Sequence, residues 1–297
     1  MTTCLLFEEL GAIWLESTSA DLKPSSHVRR AGCVKQLARF FKGTPVRSIN
    51  LQKIEAWKVK RSGDIAARTF NKELETLRLL LRYAQKVKGL LLDNPAEEIE
   101  NRKAAVATVR IPGKEQFCQL VASLRNEPQA AVRCGAADFA EFLAYSGLRL
   151  GEAIEIRWRD INLELNSLLV TGGEKGTKNH ESRTIPLFPA LRRLIERIKS
   201  EGPHVAEERI FKLQTIRQAM ASACERVGLP NFTHHAMRHF FCSNAIEAGI
   251  DFKAIAGWLG HKDGGVLVAR TYGHLRNEHS SSMALKMTFD VVNERAA

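Results

Sequence analysis

The stretch from Thr233 to Leu275 constrains this chain more than any other. It reads Thr233-His234-His235-Ala236-Met237-Arg238-His239, runs through an apolar helical segment to Leu259-Gly260-His261, and closes on Arg270-Thr271-Tyr272-Gly273-His274-Leu275. Residues three apart on a helix share a face, so His235 and Arg238 point the same way. His261 and Tyr272 follow on later turns. The segment can therefore gather two imidazoles, a guanidinium and a phenol, a set suited to phosphate chemistry. A guanidinium forks onto two phosphate oxygens, an imidazole moves a proton near neutral pH, and a tyrosine oxygen can form a covalent link.

His-x-x-Arg alone carries little weight, but other motifs stand upstream of it. Ser146-Gly147-Leu148-Arg149-Leu150-Gly151-Glu152 supplies an earlier arginine, and Gly176-Thr177-Lys178 precedes Arg183-Thr184-Ile185-Pro186-Leu187. In this order the four motifs resemble those of the tyrosine recombinases, the phage integrase family. The likeness is sharp from about Ala144 to Leu275 and only a general helical one before that.

The resemblance implies a mainly α fold with a small antiparallel β-sheet in the C-terminal domain. It implies a helical core-binding, DNA-binding domain over residues 1–100, a linker over 101–111 and a catalytic domain over 112–297. The activity implied is site-specific DNA recombination through a 3′-phosphotyrosyl intermediate. In that scheme Tyr272 is the nucleophile, Arg149 and Arg238 hold the phosphate, Lys178 is the general acid, and His235 and His261 assist. No cofactor, metal or ATP is expected. The expected partners are double-stranded DNA at an inverted-repeat core site, three further copies of the chain in a tetramer, and accessory DNA-bending factors.

Composition agrees on the partner class. A length of 297 residues suits two ordinary domains. The formal charge of +11 points to a polyanion, because lysines and arginines that neutralise phosphates release condensed counterions. No apolar run reaches the length of a spanning helix, and Met1–Trp14 lacks the basic start and cleavage site of a signal peptide, so a cytoplasmic location is expected and a membrane partner is not. The six cysteines, at 4, 33, 118, 134, 224 and 242, form no Cys-x-x-Cys pair and are expected as buried thiols.

The first third is helical by periodicity. Leu6, Leu10, Ile13 and Trp14 form one stripe, Val34, Leu37 and Phe41 a second, and Phe70, Leu74, Leu77, Leu81 and Ala84 a third. Gly43 and Gly89 stand where helices stop. Arg68, Asn71 and Lys72 near the start of the third stripe are candidate DNA contacts, with Arg78 and Arg82 beside them. The alternative is ordinary solvated charge, mixed with Glu73 and Glu75. Composition changes at Ala96, where an acidic run gives way to a basic and then small, apolar one.

In the second domain, helices are predicted over Glu115–Leu124, Ala136–Tyr145, Pro189–Lys199 and Thr215–Val227, and one beginning at Leu150 that puts Arg149 at a helix start. Strands are predicted over Ser167–Thr171 and Arg183–Pro186, joined by a glycine-rich polar loop. Lys178 and Lys175 both lie on that loop, where a primary amine on a flexible stem can reach a leaving-group oxygen; Lys178 is the preferred general acid and Lys175 its competitor and a DNA-contact candidate, the alternative being a simple phosphate contact by either. His234 reads as a neighbour or DNA contact, and His239, next to Arg238 in sequence, as a buried histidine facing away from it. A metal site built from His234, His235, His239 and His261 is disfavoured because no carboxylate or thiolate completes it. Of three tyrosines, Tyr83 and Tyr145 sit in apolar helical settings, leaving Tyr272 as the nucleophile.

Some positions depart from the family pattern: Phe240 replaces a small hydroxyl residue, Met237 a leucine, and the span from His261 to Tyr272 is two residues longer than the commonest spacing, with Asp263-Gly264-Gly265 able to absorb the insertion. A final helix from about Ser280 to Asn293 carries Met283, Met287 and Val291 in register and can pack on its own domain or on a neighbouring copy. Two other readings stand beside recombination. A type IB topoisomerase shares the chemistry without needing a specific site or a second duplex, and a DNA-binding protein that has lost catalysis would show decay of the catalytic set.

Overall fold

The computed structural model describes residues 5–61, 63, 65–104, 109–126, 130–172, 182–266 and 268–269, with the backbone alone at 130–134. The chain divides into two compact units, Met1–Ala107 and Thr108–Ala297. The mainly α fold with a small antiparallel sheet, expected from the sequence, is the one the chain adopts.

In the first unit the apolar stripes become helices α1 (Phe7–Ser17), α2 (Pro24–Phe41), α3 (Leu51–Arg61) and α4 (Ala67–Lys86). Pro24 opens α2 at a position where no amide hydrogen is needed, and Gly43 follows its end at φ +71°, the left-handed turn that glycine adopts without strain. Leu10, Leu37, Ile54, Phe70, Leu74 and Leu77 are wholly buried together, and Trp57 stacks on Phe70 with ring centroids 5.1 Å apart.

The charged face of α4 is used differently from the sequence expectation. Glu73, read as a solvated charge, is 2% exposed and takes a forked pair of hydrogen bonds from Arg61, Nε at 2.9 Å and Nη2 at 2.7 Å. Arg78 donates from Nε to the Ala96 carbonyl at 3.1 Å and from Nη2 to that of Ile99. Arg82 pairs with Glu97 at 2.5 Å. Ala96 and Ile99 are themselves buried in this core. The change of composition at Ala96 thus begins a strap tied across α4, because two arginines and two apolar side chains fasten it there. Arg68 and Lys72 are exposed.

The second unit is organised around α6 (Ala130–Ser146), which packs against α5 (Lys114–Arg125) and four later helices. The chain then makes one turn of helix, α7 (Leu150–Ala153), and a three-stranded antiparallel sheet: β1 (Ile161–Asn162), β2 (Ser167–Val170) and β3 (Arg183–Pro186), in that order. Sequence reading finds β2 and β3 but misses β1, which at two residues carries no periodic signal. In the register Leu168 faces Ile185 and Val170 faces Arg183. Leu168, Val170 and Ile185 point into the core. Helices α8 (Pro189–Ser200), α9 (Arg217–Arg226), α10 (His234–Glu247) and α11 (Phe252–Leu259) complete the unit. Leu191, Leu194, Ile195 and Ile198 bury one face of α8, as their spacing predicts.

Cys224 and Cys242 are buried, but Cys118 is exposed and Cys33 half-buried, so the expectation of uniformly buried thiols fails at those two sites. Among the described residues no helix is long and apolar enough to cross a membrane. The loop with Lys175 and Lys178, Tyr272 and the last predicted helix lie outside the described residues.

Candidate active site

Four elements of the second unit meet at one place: the turn before α7, the start of β3, the first turns of α10 and the end of α11. Each brings a side chain or carbonyl that the others complete.

Arg149 is the N-cap of α7. Its backbone N–H donates to Glu152 Oε2 at 3.1 Å, and its Nη1 donates to Glu152 Oε1 at 3.1 Å and to the Leu259 carbonyl at 3.3 Å. The expected helix from Leu150 is a single turn, so Arg149 is positioned by side-chain and carbonyl contacts rather than by a long helix dipole.

Arg238 lies one turn into α10, whose N-cap Thr233 accepts from the Ala236 N–H. It is 5% exposed. Nη1 donates to the Gly147 carbonyl at 2.7 Å; Nη2 donates to the Leu259 carbonyl at 2.8 Å and to His261 Nε2 at 3.0 Å. Gly147 adopts φ +65°, and a Cβ there would lie 2.5 Å from Phe241 Cδ1, so both conformation and space require glycine.

A guanidinium has donors only. His261 Nε2 therefore accepts from Arg238, which fixes the neutral ring with its proton on Nδ1. That nitrogen is buried with no hydrogen-bond partner among the described residues. Burial first, then the charges of Arg238 and Arg149, push the His261 pKa down to about 4. The ring is neutral at physiological pH.

His235 shares its helix face with Arg238 and is exposed. Shielding of part of its ring, followed by the charges of Arg238 and Arg149, lowers its pKa below the ordinary value. His239, expected to be buried, is half-buried, and its ring meets that of His235 edge to face at 4.5 Å, as residues four apart on a helix can. Burial, then His235 and Arg238, bring its pKa to about 4. His234 has a structural task, accepting from the Ile216 N–H at 3.1 Å and so tying α10 to the start of α9.

Sequence reading missed the partner that completes the cluster, Arg183. Its Nη1 and Nη2 fork onto Glu152 at 3.3 and 2.7 Å, and its Nε donates to the Trp258 carbonyl at 2.8 Å. Gly260 closes α11 at φ +66°, and a Cβ on it would lie 2.9 Å from Arg183 Nη1. The glycine of Leu-Gly-His thus lets an arginine lie flat on the backbone. Strand alternation gave a signal that was available: Arg183 shares a strand face with buried Ile185 and so had to point inward. Burial alone would raise the Glu152 carboxyl, yet hydrogen bonds and charge from Arg183, then Arg149, hold it below its ordinary value. Within this cluster Arg149 and Arg183 share the Glu152 carboxylate and a third guanidinium, Arg238, stands on His261, an excess of positive charge suited to a monoanionic phosphodiester that becomes dianionic on attack.

The predicted Arg149, Arg238, His235 and His261 are therefore brought together. Arg68, Asn71 and Lys72 belong to the other unit, where the Asn71 amide donates to the Arg102 carbonyl at 2.9 Å and accepts its N–H at 2.8 Å. Among the described residues no three histidine, cysteine or acidic side chains gather as metal ligands.

Comparison with known proteins places these features in context. The model of the phage integrase family matches residues 113–279. The tyrosine recombinase XerC of Alcanivorax borkumensis is 29% identical over 242 residues, 78% of this chain and 75% of the relative. In fold, the chain is similar to a lambda integrase dimer bound to a COC′ core site, with TM-score 0.76 and 17% identity over 98% of this chain and 81% of that one. It is similar also to a lambda integrase tetramer bound to a Holliday junction, with TM-score 0.76 and 18% identity over 91% and 78% of the two chains.

Proposed function

Because this chain belongs to the phage integrase family and is a site-specific recombinase, we propose that it cuts and rejoins DNA strands at the cluster of Arg149, Arg238, His235 and His261, with Tyr272 as nucleophile. The convergence of Arg149 and Arg238 on one carbonyl oxygen, that of Leu259, carries this reading. Two forked cations held side by side fit two non-bridging oxygens of one phosphodiester.

The steps follow from that placement. Tyr272 Oη attacks the phosphorus in line, forming a 3′-phosphotyrosyl bond as the bond to the 5′ oxygen breaks. Lys178 gives its proton to the departing oxygen. His235, neutral at physiological pH because its pKa is lowered, can accept the phenolic proton. His261, which accepts from Arg238 through Nε2, would hydrogen-bond the phosphate region. Attack by a 5′-hydroxyl from a second duplex reverses each bond change, so the energy of the phosphodiester is conserved and neither ATP nor metal is called for. Positioned donors of this kind contribute about 3 kcal/mol each to a developing oxyanion.

The DNA would be a core site with inverted repeats, and four copies would act on two paired sites; the lambda integrase tetramer on a Holliday junction supports that assembly by similarity of fold. Accessory DNA-bending factors belong to the same picture. The first unit would serve as the core-binding domain, touching the DNA backbone through the exposed Arg68 and Lys72, with Asn71 bracing the segment after α4 and Lys175 contacting phosphate from the second unit.

Covalent trapping tests the proposal. Wild-type protein and Tyr272→Phe are mixed with a randomised pool of nicked duplexes without added metal, denatured in detergent, and the adducts sequenced. An adduct that requires Tyr272 and enriches an inverted repeat is expected. Specific binding with no adduct from the wild type would overturn the catalytic reading.

A further inference from the structure

Arg183 and Arg149 share one buried carboxylate, but not equally. All three nitrogens of the Arg183 guanidinium are committed, two to Glu152 and one to the Trp258 carbonyl. Arg149 spends only Nη1 of its side chain, on Glu152 and Leu259; its Nε and Nη2 meet no hydrogen-bond partner among the described residues. The exposure follows the same division, 13% for the Arg183 side chain against 27% for Arg149. Glu152 is 3% exposed and cannot turn to water. A buried carboxylate with one cation beside it would claim that cation fully, since charges removed from water attract far more strongly than exposed ones.

We propose that Arg183 is a positioning residue that saturates Glu152, so that Arg149 keeps its outer donors and its charge for the scissile phosphate. The inference rests on reading the cluster as a phosphate clamp. Arg183 touches no substrate in this scheme. It acts through Glu152 and Arg149.

The test is a double-mutant cycle of Arg183→Met, Glu152→Gln and the pair together, with two readouts. One is affinity for inorganic phosphate, measured on the full chain without DNA. The other is the rate of adduct formation on a duplex selected from the trapping pool. Arg183→Met alone should weaken phosphate binding and slow the adduct about ten-fold, equivalent to ~1.4 kcal/mol. Adding Glu152→Gln to it should restore most of that loss, because the carboxylate that captures Arg149 is gone. A merely structural arginine would show the reverse, with the double variant as weak as Arg183→Met or weaker, and that outcome overturns the proposal. Should Arg183→Met fail to melt cooperatively, Arg183→Lys decides instead. It keeps the charge and one bond to Glu152, so a loss of no more than a few-fold supports charge sharing and a ten-fold loss rejects it. The phosphate arm needs no cleavage, so a wild type that forms no adduct, together with restored phosphate binding in the double variant, counts against the recombination chemistry alone.

Discussion

Arg149 and Arg238, which are 89 positions apart in sequence, donate to the same atom, the carbonyl oxygen of Leu259, at 3.3 and 2.8 Å. Arg238 is also the partner of the Gly147 carbonyl and of His261. Arg238→Ala should therefore lower the rate of adduct formation about 100- to 1000-fold, the range for losing a preorganised donor at a developing oxyanion. It should also cost ~1–3 kcal/mol in urea unfolding, because a buried acceptor loses its donor. Cleavage near the wild-type rate would show that the phosphate sits elsewhere.

Gly260→Ala probes the seat of Arg183. A side chain there must adopt φ +66° and place Cβ 2.9 Å from Arg183 Nη1. We expect a loss of ~1–2 kcal/mol from the left-handed backbone alone, together with a slower adduct as Arg183 shifts from Trp258 and Glu152. Unchanged stability and rate in the alanine variant would contradict the close packing described.

The histidines give a pH dependence with a fixed sign. His239 and His261 have pKa values brought to about 4 in the folded chain, below the ordinary histidine value of about 6.5. The unfolded chain therefore takes up protons between about pH 6.5 and 4 that the folded chain does not. Their contribution to stability is complete above pH 6.5 and is lost as the pH falls towards 4. Melting temperature should drop through that window, and His261→Asn should flatten the drop. A curve unaltered by the substitution would remove His261 from the cause.

Glu73→Gln tests the first unit. The forked Arg61–Glu73 pair is buried on the carboxylate side, and removing one charge of such a pair costs ~3 kcal/mol. Loss should appear in the melting of the unit that holds Trp14 and Trp57, read by their fluorescence, with the phosphate affinity of the second unit unchanged. Equal melting of variant and wild type would mean that Arg61 finds a replacement acceptor.

Much of this was legible in the sequence, for physical reasons. Stripes such as Phe70, Leu74, Leu77 and Leu81 announce α4 because burial repeats with the helical period. Arg149, His235, Arg238 and His261 were legible through motif resemblance, and the structure supplies what no spacing could: the shared Leu259 carbonyl and the tautomer of His261. Arg183 escaped because its partner Glu152 is 31 positions away, and a non-local ion pair leaves no periodic trace. Glu73 and Arg78 were misread for the same reason. Charge on a helix looks solvated until the segment that covers it is in place.

The acceptor that gathers the two arginines is a main-chain oxygen, and this decides which kinds of change the site can tolerate. Replacing Leu259 alters packing against Ile255, Ala256 and Val268 but leaves the carbonyl where it was. Adding or deleting a residue between the cap at Asp251 and Gly260 rotates that oxygen about 100° around the helix axis per position. The short helix α11 should therefore drift freely in composition among relatives while keeping its length, and indels there should abolish function in variants that still fold.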